Sequence, residues 1–400
     1  MSGPVLAIGA GWEQERLLAA VRARGRGLVA TAWPSTYADA LPMASVGAVV
    51  DPRDLAGIWA FAREHRPSAV VADQCDYSYF ATAFVAERLG LPGPTLASAH
   101  VATNKYRQRQ RLAAADAVAQ PRYRLCQTLT EVREALNEVK YPAILKPLDN
   151  RGNFGVNRVD EPVQVPDGYY EALTHSHTRE LLVEEFVDGT MTTVEGFMFP
   201  AEHVSLVASS KRMLGGRKRV AMELQYPALL DDDVVRDLME TNQRVMAALG
   251  YGVGPTHAEY MVTPDGRPFF IEAANRGGGV LINSHIVPAL TAVDPTQLLL
   301  DHALGLEVPT ARPRPATGAA VLSFFGFDTT GTVQGFEGVD EARTLPGVLA
   351  LRLMVSAGAT IQPIVTDAHR HGFVIVNAPT IGAARRTVET IRELVRVRVA

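Results

Sequence analysis

One pattern dominates the first hundred residues: a short apolar run, a turn, then a helical stretch, repeated. Val5–Ile8 ends in Gly9-Ala10-Gly11 and leads into a helical pattern over about 13–24. Leu28–Ala32 and Ala48–Val50 repeat the strand signal. Asp51-Pro52-Arg53-Asp54 then opens a helix to about residue 64, with Asp51 as its cap and Pro52 in its first turn. Ser68–Ala72 reads as a buried strand and 77–89 as the next helix. Such alternation implies a parallel sheet with helices on its faces. Gly9 and Gly11 are all that favours a dinucleotide fold, because the third glycine of that fingerprint falls on Gln14; a tight strand-to-helix turn explains them.

Leu91-Pro92-Gly93-Pro94 closes the pattern and marks a boundary. Beyond it come a helix over 105–114 capped by Thr103 or Asn104, and another over 131–139. Strands over 143–146 and 156–159 flank a polar glycine loop, and a helix follows near 169–175. The stretch 181–199 is strand-rich with a break at Asp188-Gly189. A helix near 233–249 precedes two strands joined by Thr263-Pro264-Asp265-Gly266-Arg267. Val308–Pro315 reads as a linker. Leu349, Leu351, Leu353 and Val355 alternate, 373–376 is strand-like, and a helix over 381–395 ends a small α+β domain. Four hundred residues exceed one domain of roughly 150, and a 47% hydrophobic content supports large cores.

Composition narrows the partners. With 39 basic and 43 acidic residues the net charge is −4, which gives no broad electropositive field for nucleic acid. Two cysteines, Cys75 and Cys126, are too few for a disulfide framework, so a reducing cytoplasm is expected. No signal peptide is evident at the amino terminus, and no apolar run reaches the ~18 residues that suggest a membrane span.

The sharpest chemical signal is the hairpin at Asp265-Gly266. Pairing Thr263 with Pro268 sets Glu259 opposite Glu272, with Cβ atoms about 4.5–5.5 Å apart. Two like charges so close destabilise a sheet unless a hard divalent cation offsets them, which suggests Mg²⁺ with nucleotide phosphates completing its shell. A solvent-facing hairpin with hydrated carboxylates is the plainer explanation, but the strands are otherwise apolar and aromatic. Asn275-Arg276-Gly277-Gly278-Gly279 follows; the glycines permit close backbone approach, the next apolar run offers a helix start that favours anions, and Arg276 suits a phosphoryl oxygen. Upstream, Lys146 ends an apolar strand beside the loop Asp149-Asn150-Arg151-Gly152-Asn153-Phe154-Gly155, a pairing that holds phosphates in many proteins. A lysine snorkelling from a strand end explains Lys146 equally well.

These residues resemble the ATP-grasp superfamily, most of all its carboxylate–amine ligases, L-amino-acid ligases among them, with kinship to biotin carboxylase and the carbamoyl phosphate synthetase large subunit. Four matches in order carry the likeness: Asn104-Lys105; PAILKP with Gly152–Gly155; Leu182-Val183-Glu184-Glu185-Phe186-Val187-Asp188-Gly189; and His257-Ala258-Glu259 with Ile271-Glu272 and Arg276-Gly277-Gly278. The resemblance implies a parallel α/β pre-ATP-grasp domain over 1–102, an ATP-grasp domain over 103–310 with a mobile lid at about 122–185, and a C-terminal α+β domain over 311–400. It implies ATP with Mg²⁺ (or Mn²⁺ in its place). Lys105 and Lys146 would hold phosphates under a lid formed by Gly152, Asn153, Phe154 and Gly155. The backbone of Glu185 and Val187, flanking Phe186, would bind adenine with the Glu184 side chain nearby. Glu259 and Glu272 would ligate the metal, and Arg276 would stabilise the reacting acyl phosphate. Two positions depart from the family: Met191 stands where an acidic ribose ligand is common, and Ala274 replaces the usual asparagine, leaving Asn275 as a substitute metal ligand or a turn amide.

The activity so implied is an ADP-forming ligation of small carboxylate and amine substrates, amino acids by preference, through an acyl phosphate. Glu223 and His257 are candidate bases for the amine, beside a substrate pocket at Gly277 and Gly278. For His257 a positioning or core role is the alternative. Lys211, Arg212, Arg217, Lys218 and Arg219 form either a carboxylate clamp or a solvated loop; His369 and His371 beside Arg370 read as a polar turn. The rival functions are a carboxylase acting through carboxyphosphate, a non-catalytic ATP-binding protein, and an NAD-dependent oxidoreductase. A homodimer is compatible with the resemblance.

Overall fold

A computed structural model describes residues 3–33, 38–150, 152–215, 220–313 and 318–400. Arg151, the basic cluster Arg217, Lys218 and Arg219, and the end of the expected linker lie outside the described residues.

Four parallel strands, β1 (Val5–Ile8), β2 (Leu28–Ala32), β3 (Val46–Val49) and β4 (Ala69–Val71), form the first sheet in the order β3-β2-β1-β4. β1 is apolar throughout because it is buried on both faces, as parallel strands are. Helices Glu15–Ala23 and Leu55–His65 make crossovers, and helix Asp76–Leu89 follows β4. Gln14, the residue that breaks the dinucleotide fingerprint, fills the glycine turn itself: its Oε1 accepts from Gly11 N–H at 3.0 Å and its Nε2 donates to the Asp73 carbonyl at 3.0 Å. The second helix starts later than expected. Asp54, not Asp51, caps it by accepting from Gly57 N–H at 2.9 Å, while Asp51 accepts from Arg53.

β5 (Tyr123–Cys126), β6 (Ala143–Pro147), β7 (Asn157–Val159) and β8 (Leu181–Glu185) form an antiparallel sheet ordered β5-β8-β6-β7. Helices Leu129–Val139 and Val165–Thr174 bury Val132, Leu136 and Tyr169 against Leu145 and Val183 in a small core of its own. Thr128 and Glu131 start the first of these helices with a reciprocal capping box.

The largest sheet is built from β9 (Thr190–Met198), β10 (His203–Met213), β11 (Ala221–Tyr226), β12 (Gly254–Val262) and β13 (Pro268–Ala274), and it does not stop there. β14 (Ala319–Phe325) pairs with β11. β15 (Gly331–Glu337), β16 (Val348–Leu353), β17 (Thr360–Ile361), β18 (Gly372–Ala378) and β19 (Arg396–Val399) follow, giving an eight-stranded antiparallel order β13-β12-β9-β10-β11-β14-β18-β16 and a small sheet β17-β15-β19. The C-terminal residues are thus not a detached body, since their strands extend the central sheet.

Helix Asp232–Leu249 packs Leu238, Val245 and Met246 against one face. On the other, Trp12 from the first domain stacks on Phe373 with centroids 5.4 Å apart, which brings the first domain to the site. After the triple glycine the chain turns through a π-helical segment Ile282–Ile286 and a short helix Val287–Thr291.

Candidate active site

Glu259 on β12 and Glu272 on β13 are direct cross-strand partners, although the loop register was expected one residue differently. Val262, not Thr263, faces Pro268; a bulge after Glu259 then restores the glutamate pair. Each carboxylate already has a cation. Glu272 Oε2 lies 2.9 Å from Lys105 Nζ, and Glu259 Oε1 pairs with Lys211 Nζ. Burial raises the Glu259 pKa, but Lys211 and His257 outweigh it and hold the carboxyl well below its usual range. Burial likewise works against charged Lys105, yet Glu272 leaves its pKa raised.

Lys105 opens helix Lys105–Ala115, which Asn104 caps, and its Nζ also donates to the Asn150 carbonyl at 2.8 Å. The lysine therefore joins Glu272 to the start of the glycine loop. Gly152, Asn153 and Gly155 adopt left-handed backbone there, and an added Cβ at Gly155 would come 2.9 Å from His175 Cβ. The Phe154 ring lies 5.5 Å from that of His175, and Asn153 Nδ2 donates to Asp367 Oδ1 at 3.4 Å, so the loop touches the C-terminal strands' turn.

Glu184 does more than lie near a nucleotide. Its carboxylate is 2.9 Å from Arg109 Nε and 2.6 Å from Lys146 Nζ in a triad almost closed to solvent. Burial would raise its pKa, but the two cations carry it down to about 2. Burial lowers the Lys146 pKa despite Glu184. Arg109 also donates to the Ile271 carbonyl at 2.8 Å, tying the lid strand β8 to β13. Arg109 carries no motif of its own in the sequence, although it lies one helical turn beyond Lys105 on the same face. At the hinge, Glu185 N–H donates to the Arg122 carbonyl at 2.9 Å and Phe186 N–H to that of Pro142 at 3.2 Å. The side chain of Glu185 pairs with Arg122 and that of Phe186 lies 4.2 Å beneath Arg158.

Arg276 points across to the first domain. Its Nε and Nη2 donate to Asp76 Oδ1 and Oδ2 at 3.0 and 2.9 Å, a bidentate pair that holds its pKa above the usual range against burial. Asp76 begins the helix after β4 and likewise carries no motif of its own. The glycine loop behind Arg276 is stitched to the same domain: Gly277 N–H to Asp73 at 2.9 Å, Val280 N–H to Glu13 at 2.7 Å and Leu281 N–H to Gln74 at 3.2 Å. These bonds hold Val280 and Leu281 at positive φ. They also occupy amides that the expected helix start would have offered to an anion.

Three expectations change. Asn275 is a turn amide more than a ligand, because its Oδ1 accepts from Tyr79 at 2.6 Å and Gly252 N–H at 2.8 Å while Nδ2 donates to Pro255 at 3.2 Å. Glu223 is not poised as a base. Although burial raises its pKa, Gln225, Arg212 and Arg385 all donate to it and hold it below its usual range. His257 Nδ1 lies 2.9 Å from Glu195 and Nε2 3.7 Å from Glu259; burial opposes protonation, but the two carboxylates push its pKa up to about 9, so near neutrality it is an imidazolium. Gly278 packs beside this pair, where a Cβ would stand 2.9 Å from Glu195 Oε2. Lys211 and Arg212, read as a possible clamp, are paired with Glu259 and Glu223. His369 and His371 do form a polar turn, His371 bonding Phe327 N–H and the Gln362 carbonyl.

Among the described residues no group of three or more His, Cys, Asp or Glu side chains forms a ready metal cage. Two facing carboxylates nevertheless fit magnesium, which commonly takes one or two carboxylates with substrate phosphates and water. Among the described residues no helix is long and apolar enough to cross a membrane.

A lid sheet tied through Arg109 to a large antiparallel sheet, over paired glutamates and two lysines, defines an ATP-grasp enzyme. Family comparison agrees, matching residues 139–284 to an ATP-grasp domain and 323–400 to the L-amino acid ligase C-terminal domain 2. The chain therefore carries an ATP-grasp domain followed by an L-amino acid ligase C-terminal domain 2.

It is 31% identical over 326 residues to the uncharacterized protein y4rH of Sinorhizobium fredii, covering 78% of this chain and 66% of that one. It is 28% identical over 243 residues to alanine–anticapsin ligase of Bacillus subtilis, covering 54% and 49%. The chain thus spans about two thirds and half of these relatives' lengths. In fold it is similar to L-amino acid ligase from Bacillus licheniformis, with a TM-score of 0.84 at 19% identity over the whole of both chains. It is also similar to phosphoribosylglycinamide synthetase from Anaerococcus prevotii, at 0.79 and 15% over the whole of both.

Proposed function

We propose that the protein joins a small carboxylate to a small amine, amino acids by preference, with ATP cleaved to ADP and phosphate. The observation that supports this reading is the facing pair Glu259 and Glu272, with Lys105 paired to Glu272 and Lys211 to Glu259. The Glu185 carbonyl and Val187 backbone read adenine, and Lys105 and Lys146 neutralise the polyphosphate. Glu259 and Glu272 would hold magnesium, which would supply further charge neutralisation, most of what phosphoryl transfer needs besides positioning.

The donor carboxylate oxygen attacks the γ-phosphorus and ADP leaves. Arg276, fixed by Asp76, stabilises charge on the acyl phosphate. The amine nitrogen then attacks the acyl carbon, the C–O bond to phosphate breaks, and an amide results. His257, held between Glu195 and Glu259, is a positioning group. The glycine loop excludes water that would hydrolyse the intermediate. Support for amino-acid substrates comes from the C-terminal family match and from the likeness to alanine–anticapsin ligase.

The test is a phosphate-release screen over pairs of amino acids, with mass spectrometry for the amide. Wild type is expected to release phosphate with at least one pair, and Glu272→Gln to release none above background. Phosphate release that needs bicarbonate and no amino acid, or near-normal turnover in Glu272→Gln, would contradict the proposal.

A further inference from the structure

Arg370 takes no part in the site as described, yet the fold buries its charge at the rim. It follows the turn Asp367–His369 and precedes β18, with a side chain 10% exposed. The guanidinium lies over the Phe324 ring, 3.7 Å from its centroid, and Nη2 meets Asp367 Oδ1 at 2.7 Å. Its Nε is buried with no hydrogen-bond partner. Burial lowers its pKa, while the charges of Asp367 and then Glu259 work the other way, so the guanidinium lies within the field of the metal carboxylate.

The neighbouring cations are committed in a way that Arg370 is not. Arg276 spends two nitrogens on Asp76, and Lys211 and His257 serve Glu259 and Glu195; Arg109 also keeps an unpartnered Nη1, but its other nitrogens lock Glu184 and the Ile271 carbonyl in the interior. A buried donor without an acceptor costs stability, so a retained one suits a ligand that completes it. A fork with a vacant Nε matches an ionised carboxylate. In the ligation proposed above, the donor's carboxylate is consumed between the phosphates and Arg276. An amino acid that supplies the amine brings a second carboxylate, which stays ionised throughout. Beside the acidic Glu259 and Glu272 such a group suits a permanent cation away from the phosphates.

Resting on that ligase reading, we infer that Arg370 anchors the free α-carboxylate of the amine-supplying amino acid and makes the enzyme selective for acceptors that carry one. Arg370 and Arg276 would then hold the two substrates from opposite sides, one on the C-terminal strands and one against the first domain. Asp367, which also accepts from Asn153 of the glycine loop, links the anchor to the lid.

The test compares the best acceptor amino acid with its α-carboxamide, at a fixed donor, in wild type, Arg370→Gln and Arg370→Lys. Wild type should prefer the free acid by about 30-fold or more in kcat/KM, because a site built for a charged group rejects its neutral analogue. Arg370→Gln should bring that ratio near one and raise the acceptor KM, with the KM for ATP and the melting temperature little changed; Arg370→Lys should fall between. An unchanged ratio in Arg370→Gln, or a rise in the donor KM alone, overturns the inference. If wild type forms no amide with any pair, the ligase reading fails by itself. Calorimetric titration with L-alanine and L-alaninamide in the presence of MgADP then decides the anchor: acid-selective binding lost in Arg370→Gln supports it, and equal or no binding of the two by wild type overturns it.

Discussion

Glutamine at position 184 removes the carboxylate shared by two buried cations. Arg109 is 0% exposed and Lys146 5%, so neither finds water in its place. Breaking a buried ion pair from one side costs about 3–5 kcal/mol. The acidity of Glu184 gives a second value: a pKa of about 2 against 4.5 corresponds, at about 1.4 kcal/mol per unit, to roughly 3 kcal/mol. Because the folded value is the lower one, this stabilisation is complete above about pH 4.5 and is lost as pH falls through about 2.

Domain stabilities are about 5–15 kcal/mol, so the loss is large, and it falls on the seam between lid and sheet. Urea unfolding at pH 7 should show Glu184→Gln less stable by about 3 kcal/mol. Hydrogen exchange should quicken in β6 and β8, which locates the effect where a multidomain chain does not unfold in one step. Adding Lys146→Met should restore part of the loss, since one stranded charge disappears with it. A loss below about 1 kcal/mol, or a double variant worse than the single one, would refute the reasoning.

Asp76→Asn should lower turnover about 10–100-fold with little change in the KM for ATP, because it loosens Arg276 while Lys105 keeps its pairing with Glu272; steady-state kinetics check this, and a rise in KM with kcat unchanged would assign Arg276 to binding. His257 has a folded pKa of about 9 above an ordinary 6.5, so its stabilisation is complete below about pH 6.5 and lost as pH rises through about 9. Melting temperatures across that window should fall in wild type and flatten in His257→Gln. Gly277→Ala puts a Cβ 2.3 Å from that of Asn283 and should cost about 1–3 kcal/mol in thermal unfolding through the disturbed Asp73 contacts.

The parts of the fold with a local cause were readable. Period and turn chemistry placed β1 to β4, the cap at Asn104 and helix Asp232–Leu249 within a residue or two. The glutamate pair was found from hairpin arithmetic whose turn register was off by one; the bulge after Glu259 offset the error. What escaped was set by tertiary closure. Nothing near Arg276 in the chain announces Asp76, and nothing near Glu184 announces Arg109. Glu223 looked like a base because its three donors come from β10, β11 and helix Ile381–Leu394, which only the assembled sheet brings together. The short, half-polar strand β5 gave no period to read, and the continuation of the central sheet into β14, β18 and β16 depends on pairings between residues up to about a hundred apart.

Transfer of a carboxylate oxygen to phosphate is the chemical core of the account, and isotope labelling reads it directly. A donor whose carboxylate carries oxygen-18 should yield ADP and inorganic phosphate containing one labelled oxygen for each amide formed. Unlabelled phosphate, or AMP with pyrophosphate, would contradict an acyl phosphate formed over Glu259 and Glu272.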